Sequence, residues 1–364
     1  MSTDDVFILW NISRINGTLL QTPTEIEDYY GQYKSALCLD RVMLIIMSVA
    51  NLMNGLSGAV GYILAIIILL SRDFTAVGFI YHRALAYIEL VHMGVCMEAG
   101  IRGLISYHRQ FYVWVWLSTY LGWRLGNSAA TAADMITLAI SLERSCALWL
   151  PSIFPKINRE PVARLLIGLS CVTSLFYLPT AFKYTVVFDT YNQSYVTKMT
   201  EFSRTAFSKF VTTTLSTLEL FKGGAISVLT IAIVCGFIRR RRYVKPNGFL
   251  KQDMLLCVLQ FSLAIPITVN LVLFVTLMNA SAVIGKDAVE GINYIQALRE
   301  LWKFKGISLL KLLVSVSNNA AHCTNFYLYC MLSQRFRRAV HHLFRRGNGV
   351  NWNGGPFVDP KELV

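Results

Sequence analysis

Seven long apolar runs in the 364-residue sequence constrain its fold more than any other feature. They lie at 42–70, 79–101, 113–148, 161–184, 207–238, 250–279 and 305–331. A helix that crosses the hydrocarbon core of a bilayer needs about 20 mostly apolar residues, and each run supplies that length. Because lipid offers no hydrogen-bond partners, each run should satisfy its backbone internally as a helix. The sequence therefore predicts an all-α membrane protein, a bundle of seven transmembrane helices.

The composition agrees with a chain solvated mostly by lipid. Charged residues make up 15% and apolar residues 54% of the sequence, whereas soluble proteins carry about 25% charged residues. The first residues contain neither a basic segment nor a long apolar segment, so we expect no cleaved signal peptide. Most of the eight cysteines fall in or beside apolar runs, which favours buried free thiols over a disulfide framework.

Basic clusters beside the spans predict the orientation. They follow the third, fifth and seventh runs, and their members are Lys156, Arg159, Arg164, Arg239, Arg240, Arg241, Arg242, Lys245, Arg335, Arg337, Arg338, Arg345 and Arg346. Cytoplasmic loops carry an excess of Lys and Arg, so this side is expected to face the cytoplasm. These clusters also account for the net charge of +13, and no nucleic-acid partner is expected.

Four N-glycosylation sequons support this orientation. Their asparagines are Asn11, Asn16, Asn192 and Asn279. All four fall on the side opposite the basic clusters, where glycosylation takes place. The N-terminus is thus predicted to be extracellular and the C-terminus cytoplasmic, in a plasma-membrane protein.

Four segments follow from this pattern. Residues 1–41 form an extracellular N-terminal segment and residues 42–331 the seven-helix domain. Residues 332–346 follow the seventh run and are rich in arginine, and His341 and His342 among these arginines indicate a solvated helix face. Residues 347–364 are rich in Gly and Asn and predict a flexible cytoplasmic tail.

Charged residues inside the spans point to function, because burying a charge in a membrane is costly. Five lie in the outer halves of spans and are predicted to line a ligand cavity: Glu98, Arg124, Glu219, Lys222 and Lys311. Glu219 and Lys222 are three residues apart and so share one helix face. The alternative interpretation is that such charges form interhelical pairs that fix packing.

The sequence contains no constellation typical of an enzyme. It has no H-E-x-x-H motif, no Cys/His cluster with zinc spacing and no phosphate-binding glycine loop. Asp134 with Thr131 and Ser128 is too small a set to indicate catalysis. We therefore expect neither enzymatic activity nor a cofactor.

Four stretches resemble one receptor family. Leu85–Leu90 reads L-A-Y-I-E-L, Glu143-Arg144 ends the third run, residues 163–184 read ARLLIGLSCVTSLFYLPTAFKY, and Asn325–Cys330 reads N-F-Y-L-Y-C. In order and placement they resemble rhodopsin-like (class A) G-protein-coupled receptors, particularly invertebrate FMRFamide-type neuropeptide receptors and related chemoreceptors. The resemblance covers residues 42–345.

The resemblance implies roles for five residues. Arg144, paired with Glu143, would be held inactive until its release toward a heterotrimeric G protein. Glu89, Asn325 and Tyr329 would form a polar core that repacks between two states, and Glu89 stands where the family has a weak sodium site. The resemblance also implies that residues 332–346 form a short amphipathic eighth helix. This helix and the basic third loop would contact the G protein and anionic lipid headgroups.

The sequence also departs from the family's pattern. Neither the outer end of span three nor residues 185–206 contains a cysteine, so the family's outer disulfide is absent. Ala264, Ser145 and Phe326 replace a tryptophan, a tyrosine and a proline of the family's activation motifs, and span five lacks the family's proline. These changes predict an altered or constitutive switch within an intact architecture.

Several ligand classes remain open within this resemblance. Gly126 stands where amine receptors have an aspartate, and Lys311 is too near the outer end of its span to hold retinal. A neuropeptide is the favoured ligand, with Glu98 and Glu219 as acidic partners for an Arg-Phe-amide terminus. One alternative is a small chemosensory ligand. Another, from a different class, is a seven-helix transporter or channel. Inverted repeats would favour a transporter, and the sequence shows none.

Overall fold

The structure is a computed structural model. It describes residues 23–71, 74, 77–105, 112–189, 194–243, 306, 309–310, 312–324, 326–327 and 334–346. The chain divides into two units, Met1–Met47 with Val272–Val316 and Ser48–Leu271 with Ser317–Val364. The side-chain arrangements reported below all lie in the second unit.

The described residues are mostly helical. The helices are α1 (Pro23–Leu69), α2 (Gly78–Ile105), α3 (Tyr112–Leu117), α4 (Trp123–Trp149), α5 (Phe154–Ile157), α6 (Glu160–Ser174), α7 (Ala206–Tyr243), α8 (312–324) and α9 (Gln334–Arg346). A π-helical turn, Ser118–Gly122, joins α3 to α4, and short 3₁₀ helices cover Leu175–Lys183 and Glu201–Arg204. Strands β1 (Tyr184–Asp189) and β2 (Ser194–Met199) separate the two 3₁₀ helices.

Among these helices, four are long and apolar enough to cross a membrane. The stretches are Val42–Leu69, Gly78–Ile105, Glu160–Lys183 and Ala206–Gly236. They coincide with the first, second, fourth and fifth predicted spans, so the helical, membrane-compatible character of these runs is confirmed. The sixth predicted span, 250–279, lies outside the described residues, and the seventh is described in part.

The third predicted span is helical but less apolar than the other four. Residues 112–149 are continuously helical through α3, the π-helical turn and α4, yet they are not among the membrane-compatible stretches. Helix α4 packs against α2, α6 and α7. These three helices cover much of its surface, so its small and polar residues are accommodated there.

An apolar core forms where α2, α4 and α6 meet. Tyr81 and Leu85 from α2 pack with Ile136 and Ile140 from α4 and with Ala163 from α6. Other large apolar residues stay exposed; Val228 and Ile231 on α7 are 65% and 63% exposed. Such an outward apolar surface is suited to lipid and costly in water.

Helices α1 and α2 approach each other closely at a glycine. A Cβ atom at Gly100 would lie 2.6 Å from the Leu52 backbone nitrogen and 2.8 Å from the Ser48 carbonyl oxygen. Only a residue without a side chain fits such a backbone contact, as in other membrane helix pairs. This contact fixes α2 against the part of α1 that follows Met47.

Two features differ from the all-α prediction. Strands β1 and β2 form an antiparallel hairpin with Tyr184 opposite Met199, because the segment is rich in β-branched and aromatic residues. The fourth predicted span changes from α to 3₁₀ geometry after Ser174. Pro179 lies in that 3₁₀ helix, and its missing N–H cannot support a regular α-helix.

The C-terminal helix α9 is amphipathic. Phe336 is buried, and its ring lies 6.4 Å from the Phe74 ring and 5.8 Å from the Phe326 ring. Arg337 and Arg338 are exposed. The predicted amphipathic segment, 332–346, contains this helix.

Candidate functional site

Among the described residues, the densest group of buried charges centres on Lys222 of α7. Its Nζ lies 2.7 Å from Asp134 Oδ2 of α4 and 2.8 Å from Glu219 Oε2 of α7. Lys222 and Asp134 are buried, whereas the Glu219 side chain is 31% exposed. The Lys222 ammonium group thus pairs with two acids, buried Asp134 on the neighbouring helix α4 and partly exposed Glu219 on α7.

Tyr177 and Thr131 complete the surroundings of Glu219. The Tyr177 hydroxyl donates to Glu219 Oε1 at 2.6 Å. The Thr131 hydroxyl donates to the same oxygen at 3.4 Å and accepts from Lys222 Nζ at 3.4 Å. The partly exposed carboxylate is therefore held from α4, from α7 and from the 3₁₀ helix after α6.

A second buried pair, Glu89 with His322, lies next to the first. His322 Nδ1 on α8 is 2.8 Å from Glu89 Oε1 on α2, and both residues are buried. On the other side of the ring, His322 Nε2 is 4.0 Å from Asp134 Oδ1. Glu89, His322, Asp134, Lys222 and Glu219 thereby form a continuous chain across four helices, which we call the core charge chain.

Histidine, cysteine and asparagine residues extend this polar layer. His92 Nδ1 is 3.1 Å from the Gly126 carbonyl oxygen, and its ring centre is 4.8 Å from that of His322. Cys96 Sγ lies 3.7 Å from His92 Nε2. The Asn319 side chain donates to Asn51 Oδ1 of α1 at 2.7 Å. The polar contacts thus reach from α7 to α1.

The charges do not balance within the core charge chain. Three carboxylates, Glu89, Asp134 and Glu219, face one ammonium group, Lys222, and one imidazole, His322. Ionisable residues within membrane spans mark ligand sites or ion paths in many membrane proteins. Lys222 and His322 each lie within 4.0 Å of two acids.

Arg124 occupies a different place. It is buried at the start of α4, donates to the Thr119 carbonyl oxygen and donates at 2.9 Å to the Thr180 carbonyl oxygen. Its guanidinium carbon lies 5.2 Å from the Tyr184 ring centre. The Thr119 hydroxyl also lies 2.9 Å from the Thr197 hydroxyl of β2. Arg124 therefore binds the hairpin to the π-helical turn.

Only two of the five predicted ligand residues contact each other among the described residues, namely Glu219 and Lys222. Glu98 pairs instead with Arg102, with Oε1 3.4 Å from Nε, and Arg124 contacts the hairpin. Lys311 lies outside the described residues. The predicted ligand set is thus distributed over three separate groupings of contacts.

The residues predicted to control G-protein coupling lie in two places, near the end of α4 and in the core charge chain. Glu143 is buried and Arg144 half-buried at the end of α4, with Arg144 Nη2 3.9 Å from Glu143 Oε2. Glu89 belongs to the core charge chain, where His322 lies beside the carboxylate predicted as a sodium site. No group of three His, Cys, Asp or Glu side chains suited to a metal occurs among the described residues.

Other predicted site residues lie outside the described part of the chain. Asn325 and Tyr329 are among them, as are the four sequon asparagines, Asn11, Asn16, Asn192 and Asn279. The predictions made for these residues stay predictions.

Sequence reasoning missed the histidines of this site. His92 and His322 lie inside apolar runs. A histidine in a membrane span indicates a functional site just as an acid or a lysine does. Tyr177 gave no such signal, since an aromatic residue in a span is commonplace. Asp134 and Thr131 were grouped with Ser128 as too small a set for catalysis and were not assigned to the ligand site, whereas both contact Lys222.

Comparison with known proteins adds no family. The chain matches no protein-family model, and no curated protein matches its sequence.

Proposed function

We propose that this chain is a G-protein-coupled receptor of seven helices in the plasma membrane, with an extracellular N-terminus and a cytoplasmic C-terminus. It would bind a neuropeptide and activate a heterotrimeric G protein. The observation that carries the proposal is the position of Glu143-Arg144. The pair lies near the C-terminal end of α4, a helix that packs against three others, and Arg144 lies against the first residue of α2.

The core charge chain supplies a means of passing a signal along α4. Asp134 and Glu143 lie nine positions apart on this helix, which corresponds to about 14 Å along its axis. A ligand that displaces Glu219 from Lys222 would change the partners of Asp134 and His322. A ligand shifts such an equilibrium only by as much as it binds one state better than the other.

Glu219 is the member of the chain that a ligand reaches most readily. Its side chain is 31% exposed, while Asp134 and Lys222 are 8% and 6% exposed. A peptide carrying a cationic group would pair with this carboxylate. A small chemosensory ligand with a cationic group would meet the same partner, so both ligand types remain within the proposal.

The test begins with expression of the full chain in cells. A peptide library and a small-molecule library are screened with calcium and cyclic-AMP readouts, and basal signalling is compared with that of Arg144→Ala. A ligand response that Glu219→Gln weakens at least about tenfold supports the proposal. Surface expression without any ligand response, and with basal signalling unchanged in Arg144→Ala, contradicts it.

A second candidate, an ion or proton transporter, is favoured by the unbalanced core charge chain. Linked carboxylate, imidazole and ammonium groups across a membrane are typical of proton relays. Reconstitution in vesicles containing a pH-sensitive dye separates the two functions. Proton flux that Asp134→Asn abolishes would favour transport, and an impermeable vesicle would favour the receptor.

A further inference from the structure

The start of α2 lies against the Glu143-Arg144 pair. A Cβ atom at Gly78 would lie 2.8 Å from Arg144 Nη2 and 4.0 Å from Glu143 Oε2. Real Cβ atoms almost never come closer than 3.0 Å to another heavy atom. The guanidinium group of Arg144 therefore occupies space that exists only because residue 78 has no side chain.

Two further residues, Tyr81 and His82, lie on the face of α2 that begins with Gly78. Tyr81 and His82 follow Gly78 at three and four positions, so they lie on the same helix face. Tyr81 and His82 are both buried. The first turns of α2 thus form the surroundings in which the Glu143-Arg144 pair rests.

Those surroundings leave hydrogen-bonding capacity unused. Among the described residues, Glu143 Oε2 and the Tyr81 hydroxyl are both buried without a hydrogen-bond partner. Buried polar groups nearly always have one, so each exception calls for an explanation. Both exceptions are explained if the Glu143-Arg144 pair has to separate readily, because a full set of hydrogen bonds would hold it in one state.

We infer that Gly78 is a positioning residue, which sets the place of Arg144 beside Glu143 by leaving room for its guanidinium group. The inference rests on the proposed function for its signalling consequence only. A methyl group at residue 78 would force Arg144 aside. Because Arg144 Nη2 is the far end of a flexible side chain, the side chain moves while the helices stay in place.

The experiment combines Gly78→Ala with Arg144→Ala in a double-mutant cycle. Gly94→Ala is the matched control, since Gly94 lies on the same helix and a Cβ atom there would meet nothing within 4 Å. Both substitutions replace a helical glycine by alanine, so the gain in helix propensity is of the same kind. The readouts are the melting temperature of the detergent-solubilised full chain and basal nucleotide exchange on G proteins.

If Gly78 acts through Arg144, Gly78→Ala lowers the melting temperature by about 2 °C or more relative to Gly94→Ala. That difference disappears when residue 144 is alanine. Basal nucleotide exchange rises roughly two- to fivefold in Gly78→Ala, because the resting position of Arg144 is disfavoured. Gly94→Ala leaves exchange unchanged.

Two other outcomes are distinguishable. Coupling in the melting temperature without nucleotide exchange in any variant supports the positioning role of Gly78 and overturns the proposed receptor function. An identical effect of Gly78→Ala with arginine or alanine at residue 144 overturns the inference, whatever the signalling result.

Discussion

The core charge chain and the Glu143-Arg144 pair both include an acid of α4, Asp134 and Glu143, yet they are built differently. In the core, the pairs Lys222–Asp134 and His322–Glu89 join different helices at 2.7 and 2.8 Å. At the end of α4, two adjacent residues of one helix approach only to 3.9 Å. The first arrangement connects helices, whereas the second connects none.

This difference predicts different consequences when charges are removed. Removing one partner of a buried, hydrogen-bonded pair leaves the other charge without compensation and is strongly destabilising. A long pair with a partly exposed member contributes little to stability. The core charge chain should therefore carry stability, and Glu143-Arg144 should carry switching.

Lys222→Ala should have the largest effect. It leaves Asp134 and Glu219 without their ammonium partner, and we expect a loss of about 3–5 kcal/mol in the free energy of unfolding. Denaturant titration in mixed micelles measures it. Lys209→Ala, at an exposed position of the same helix, should change the value by less than about 0.5 kcal/mol. Equal effects of the two variants would break the comparison.

Glu89→Leu should follow, since it leaves His322 without its 2.8 Å acceptor. A hydrogen bond between charged groups contributes about 1.5–3 kcal/mol, and we expect a loss of that size. Glu98→Leu is the control on α2, because Glu98 pairs with Arg102 at 3.4 Å where both are partly exposed. It should cost under about 1 kcal/mol. A control as damaging as Glu89→Leu would show that burial does not set the cost.

Arg124→Leu should act locally. It removes the donors to the Thr119 and Thr180 carbonyl oxygens and the contact with the Tyr184 ring. We expect the hairpin to be destabilised by about 1–3 kcal/mol, with faster hydrogen exchange in Tyr184–Asp189 and Ser194–Met199. Arg102→Leu should leave exchange in both strands unchanged. Slow exchange in Arg124→Leu would mean that other contacts hold the hairpin.

Arg144→Ala should have the smallest effect on stability, within about 1 kcal/mol, because its pair is long and partly exposed. Its effect should appear in basal nucleotide exchange on G proteins instead. A large loss of stability, comparable with that of Lys222→Ala, would place this pair in the same structural class as the core. The contrast between the two regions would then disappear.

Hydropathy predicted much of the helical framework. Apolar runs and helix bounds agree closely for α2, where 79–101 was predicted and Gly78–Ile105 is found. Apolarity could not place the start of α1. This helix begins at Pro23, whereas its membrane-compatible stretch begins only at Val42. Nor did apolarity distinguish a 3₁₀ helix from an α-helix around Pro179.

For the candidate site, the sequence could predict contacts between residues of one helix but not contacts between helices. The spacing of Glu219 and Lys222 placed them on one face, and they are indeed paired at 2.8 Å. The partners Asp134, Tyr177 and Thr131 come from other elements, and spacing along one helix contains no information about which side chains meet across helices. The same limit explains why Arg124 was assigned to a ligand although it holds the hairpin.

The polar character of α4 has a consequence for how the chain is made. Helix α4 and the turn before it fall short of the apolarity of the four membrane-compatible stretches, and α4 carries Arg124 and Asp134. Each such residue adds about 2.5–3.5 kcal/mol to the cost of inserting an isolated helix centre into lipid. Its entry into the bilayer should therefore depend on α2, and its retention there on the later arrival of Lys222 with α7. A nascent chain released after α4 should leave that helix poorly inserted, so the order of synthesis becomes part of the folding of this protein.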